Sequence, residues 1–158
     1  MNFLTEHGIS SYGELESKLT AVSARRDTAH TEIKRIESRS AELTLVMKHA
    51  ETYRQLKPIY DRYRKSNNKE KFLRGHESEI ILFEAAAREL KRLGTVPLPT
   101  TESMKTELAN LAAERERLLA EYKAARSAVQ EYETVKQNVD ALLAVPKEQE
   151  QQRRHELE

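Results

Sequence analysis

Apolar residues recur along the first part of the chain at Leu15, Leu19, Val22, Ala29, Ile33, Ile36, Leu43, Met47 and Ala50. The steps alternate between four and three once Arg26 and Ser40 fill the two gaps, which makes a heptad seam on one face of a helix. Ser11 and Glu14 open it as a capping box, Ser11 capping the third amide and Glu14 reaching back. A looser continuation runs through Tyr53, Leu56, Tyr60 and Tyr63 with Pro58 inside it. Proline removes one amide and crowds the preceding turn, so the pattern predicts a helix over 12–64 with a kink near 53–57, roughly 80 Å long at ~1.5 Å per residue.

Lys65-Ser66-Asn67-Asn68 breaks the pattern. Asn67 and Glu70 are placed to cap a short helix that stops at Gly75. A second helix is expected over 76–93, with Ile80, Phe83, Ala87 and Leu90 on one face and Gly94 ending it. TVPLPT at 95–100 reads as a loop. A third helix starts near Thr101, with Met104, Leu108, Leu111, Leu118, Tyr122, Ala125, Val129 and Tyr132 alternating by four and three and Arg115 in the one gap. Val135, Val139 and Leu142 follow after a one-residue phase shift, and Pro146 is expected to end the helix.

Two long seams in one chain predict an all-α fold: an elongated antiparallel, coiled-coil-like helical hairpin with a shorter third helix packed at the turn end. Neither long helix can bury its stripe alone. The tandem seams and the turn between them favour closure within one chain over a dimer through the same seams, and put Leu15 near Leu142 and Ala50 near Leu108. Residues 1–10 read as a lead-in, 11–145 as a single helical-hairpin domain and 146–158 as a polar tail. Leu157-Glu158 reads as the remnant of a cloning site, so a piece of a longer protein is expected.

Composition agrees. Ala, Leu, Glu, Lys and Arg make up just over half of the 158 residues, the signature of long helices, and 34% of the chain is charged. Cysteine is absent, which excludes disulfides and thiolate chemistry. No apolar run approaches the ~20 residues of a membrane span, and MNFLTEHGIS is not a signal peptide, so a cytoplasmic protein without membrane contact is expected.

Candidate chemistry is sparse. His7, His30, His49, His76 and His155 show neither His-x-His nor His-Glu-x-x-His spacing, and there is no Walker loop or GxGxxG. No catalytic residue, metal site or cofactor is expected. Arg26 and Arg115, at seam positions, either pair with a glutamate across the hairpin and fix register or extend to solvent.

One segment stands apart. Residues 54–75 hold eight cations, Arg54, Lys57, Arg62, Arg64, Lys65, Lys69, Lys71 and Arg74, against Asp61 and Glu70, so the segment is +6 in a chain whose net charge is +1. Cations attract phosphates, and the interleaved Tyr60, Tyr63 and Phe72 offer faces on which unpaired bases stack. The plainer reading makes the aromatics helix–helix contacts, because Tyr60 and Tyr63 continue a seam, and the cations a solvated rim.

The stretches IYDRYRKS at 59–66, KEKFLRGHESEIILFEAAARELKRLG at 69–94, LPTTESMKTELANLAAERERLLAEY at 98–122 and VKQNVDALL at 135–143, with ISSYGELESKL at 9–19, resemble the helical C-terminal region of relaxases, the mobilisation proteins of Gram-positive conjugative elements. The resemblance is one of spacing over helices and covers nearly all of 9–143; Gly75 departs from it, where a helix-compatible residue is more usual. It implies an upstream nuclease domain that nicks one DNA strand with a tyrosine nucleophile and a histidine-held metal. No position here matches that histidine cluster, so Tyr53, Tyr60 and Tyr63 are not read as the nucleophile. The resemblance implies a non-catalytic accessory domain that holds DNA or docks transfer accessory proteins; the +6 segment with its interleaved aromatics adds the expectation of weak binding without sequence choice, single strands favoured, and the seams leave a homodimer as a further expectation. The competing expectation is a structural coiled-coil oligomerisation or protein-interaction module with no DNA contact.

Overall fold

The computed structural model describes residues 11–157, and their side chains over 11–144. The fold is all-α: α1 spans Tyr12–Lys65, α2 Lys69–Arg92 and α3 Thr101–Leu157. Local hydrogen bonds set the helix ends. The Ser11 hydroxyl accepts from the Glu14 amide at 3.2 Å and opens α1. Asn68, one residue after the expected cap, accepts from the Lys71 amide through its side chain and opens α2. The Thr100 hydroxyl accepts from the Ser103 amide and opens α3. Gly94 closes α2 at φ +70°, with its amide on the Lys91 carbonyl and the Thr95 amide on the Leu90 carbonyl. That pair of bonds is a Schellman ending, whose left-handed residue glycine adopts without a Cβ clash.

The chain divides into two compact units, 1–34 with 116–158, and 35–115. In the first, α1 and α3 run antiparallel. Tyr12 donates to Asp140 at 2.8 Å, and four residues along α1 Glu16 approaches Lys136, four residues back along α3. Leu15 and Tyr132 form the buried centre of a cluster with Tyr12, Leu19, Val22, Ala128 and Val135 against them. Ala29, Leu118, Ala125 and Val129 are also buried.

The second unit holds three helical segments. Ile36, Leu43, Val46 and Ala50 of α1, Ile80, Phe83, Ala86 and Leu90 of α2, and Met104 and Leu111 of α3 are buried. Phe83 stacks on Tyr60 and Tyr53 of α1, with ring centroids 4.3 and 4.7 Å apart. α1 and α3 are antiparallel here too: Arg115 reaches Glu37 at 3.1 Å, and Arg39 forks onto both Glu107 carboxylate oxygens at 2.8 and 3.2 Å. A bidentate pair fixes direction as well as distance.

Several expectations are corrected. Leu142 is 72% exposed rather than packed on Leu15, whose partner Tyr132 lies about three turns earlier. Glu107 meets Arg39, about three turns from Ala50, so Leu108 does not sit by Ala50. Both displacements have the same sense. α2 occupies the Tyr53–Tyr60 face of α1, and the one-residue phase shift after Tyr132 rotates Leu142 off the seam. Val46 and Ala86 take the fully buried places expected for Met47 and Ala87. The break expected after Gly75 is present as a kink: His76 has non-helical φ −135° and ψ 24°, and the helical segments before and after it meet there within α2. α1 runs through Pro58, in line with the single helix expected over 12–64. α3 continues through Pro146 to Leu157, because the following Lys, Glu, Gln and Arg residues favour helix and the Leu142 residue that loses its donor is open to water.

Candidate nucleic-acid interface

The eight cations of the +6 segment all belong to the second unit, and the structure sorts them. Arg54 is exposed but engaged: its guanidinium donates to the Pro99 carbonyl at 2.6 Å and to the Thr101 hydroxyl at 2.7 Å, tying the entry of α3 to α1. Lys57 pairs with Asp61 one turn on at 2.9 Å, and that hydrogen bond raises its pKa above the ordinary value. Arg74 lies 3.8 Å from Glu70, with both side chains open to solvent, a pair of small worth.

Arg62, Arg64, Lys65, Lys69 and Lys71 remain. All five are exposed, and among the described residues none has a carboxylate within ion-pair distance. Arg62, Arg64 and Lys65 occupy the last turn of α1. Lys69 and Lys71 open α2. Residues 66–68 join the two groups through a turn held by local bonds: the Ser66 amide on the Tyr63 carbonyl, the Asn68 amide on the Ser66 hydroxyl, and the Asn68 cap on Lys71.

Cations in the last turn of α1 suit the negative end of that helix and have a structural reason to be there. Lys69 and Lys71 do not. The start of a helix carries partial positive charge and favours acids, so two lysines there oppose the helix dipole and repel the cations across the turn.

The aromatics lie between helices. Tyr60 is 6.1 Å from Tyr63, Tyr63 is 6.2 Å from Phe72 and Phe72 is 4.5 Å from His76, while Phe83 covers Tyr60. All are at least half-buried, in line with the plainer reading of their spacing. His76 also meets Glu79 at 2.7 Å.

Of the seam arginines, Arg115 pairs across to Glu37, whereas Arg26 bonds its neighbour Asp27 at 3.1 Å. His30 lies 5.9 Å from Tyr122. His7 lies outside the described residues. Among the described residues no three His, Asp or Glu side chains converge as metal ligands, and no helix is long and apolar enough to cross a membrane.

Sequence reasoning left one surface feature unassigned. Ile81 and Leu82 of α2 are 56% and 55% exposed. The signal was the run Ile80-Ile81-Leu82-Phe83: four consecutive apolar residues span more than one helix face, so some must point away from the core. No family model, curated protein or solved structure matches the chain.

Proposed function

We propose that this chain is a non-catalytic accessory domain of a DNA relaxase used in conjugative transfer, and that it holds DNA through the basic turn between α1 and α2. Five exposed cations without carboxylate partners at one turn carry the reading, two of them at a helix start where they oppose the dipole. The resemblance of 9–143 to relaxase C-terminal regions supports the relaxase setting. On this reading the chain works in the cytoplasm beside an upstream nuclease domain of the same protein, which supplies the cutting chemistry, and weak non-specific binding keeps DNA near that domain.

The test is titration of a labelled oligonucleotide at low salt. Changing Arg62, Arg64, Lys65, Lys69 and Lys71 together to Gln should remove most binding and flatten its salt dependence. Stability should change by no more than about 0.5 kcal/mol per exposed site. No binding, or binding indifferent to the five changes, would leave the protein-interaction reading, which the exposed Ile81 and Leu82 favour.

A further inference from the structure

We propose that the basic turn grips phosphates alone and therefore prefers duplex DNA to single strands. This rests on the DNA-holding reading above and reverses the strand preference drawn from the interleaved aromatics. Proteins that favour single strands combine cations with ring faces on which unpaired bases stack. Here the rings beside the cations already have other rings against them. Tyr60 lies against Phe83 at 4.3 Å, Tyr63 against Phe72 at 6.2 Å, and Phe72 against His76 at 4.5 Å. The Tyr60–Phe83 and Tyr63–Phe72 pairs join α1 to α2, and turning one of these rings outward to meet a base would open that contact.

What the turn offers instead is charge. Arg62, Arg64 and Lys65 on one side and Lys69 and Lys71 on the other are exposed and unpaired. A site that reads only charge responds to its density. Duplex DNA carries one phosphate per about 1.7 Å of axis, and each contact gives a salt slope of about −0.9, against about −0.7 for a single strand. With four of the five cations engaged, log affinity should fall against log salt with a slope of about −3.6 on duplex and about −2.8 on a single strand.

The experiment titrates the whole chain with a labelled 20-base-pair duplex and with each of its single strands, across a salt series at equal strand length. Tyrosine emission is read in the same titration; the chain has six tyrosines and no tryptophan, so stacking on Tyr60 or Tyr63 would quench it. The expected result is several-fold tighter binding of the duplex at low salt, the steeper slope on the duplex, and tyrosine emission unchanged on saturation with single strand. Equal or tighter binding of the single strand, or quenching of tyrosine emission by it, would overturn the phosphate-only inference while leaving DNA holding intact. Binding of neither form at low salt would overturn DNA holding and this inference with it.

Discussion

Arg54 of α1 donates to the carbonyl of Pro99 at 2.6 Å, and with its second contact to Thr101 it fixes where α3 begins against α1. A cation that belongs by position to the basic segment is thus a structural tie. Arg54→Gln should lower the free energy of unfolding by about 1 kcal/mol, the scale of a charged hydrogen bond open to solvent. The salt slope of DNA binding should stay as it is. Urea unfolding and oligonucleotide titration separate the two effects, and a slope smaller by about one contact with unchanged stability would make Arg54 a phosphate ligand instead.

Gly75 within α2 and Gly94 just past its end should respond oppositely to alanine. Gly75 ends the helical segment just before the kink at His76, without a positive φ, and a Cβ there meets nothing within 4 Å. Gly75→Ala should therefore stabilise by about 0.5–1 kcal/mol through the lost freedom of the unfolded chain. Gly94 has φ +70°, so Gly94→Ala should destabilise by roughly 1–2 kcal/mol. Thermal unfolding of the pair checks the signs.

Register can be read by truncation. Ile36 is 0% exposed, and Ile36→Ala should cost about 2–5 kcal/mol. Leu142→Ala should stay within about 0.5 kcal/mol, since Leu142 is 72% exposed. A large loss at Leu142 would restore the seam in which it faces Leu15.

Tyr12 gives a pH signature. Its hydroxyl donates to the Asp140 carboxylate at 2.8 Å, and this bond, with the nearby negative charge, pushes the phenol from 10.0 up to about 12. A raised pKa means that the contact favours the fold fully below pH 10, and that its contribution is lost as pH rises through about 12. The contact is exposed, so its effect on stability is small. Tyrosinate absorbance is the sharper readout: Asp140→Asn should move one of the six tyrosines back towards the ordinary value. An unchanged titration would mean that Asp140 does not hold Tyr12 in solution.

What the sequence determined by itself is whatever depends on neighbours along the chain. The cap at Ser11, the Gly94 ending and most of both seams follow from hydrogen bonds and side-chain spacing within a few residues, and the structure shows them. Arg115 was legible as a residue able to pair across a seam, but its partner Glu37 was not. Tertiary structure alone decided the register. A heptad stripe is nearly the same after a slip of two or three turns, and only the long-range contacts of Arg39 with Glu107, Arg54 with Pro99 and Phe83 with Tyr60 distinguish one slip from another. The candidate site divides the same way. Eight cations could be counted from composition; which five stay unpaired depends on where Arg54 and Lys57 find oxygen acceptors. That Tyr60, Tyr63 and Phe72 face other rings depends on α2 folding back onto α1.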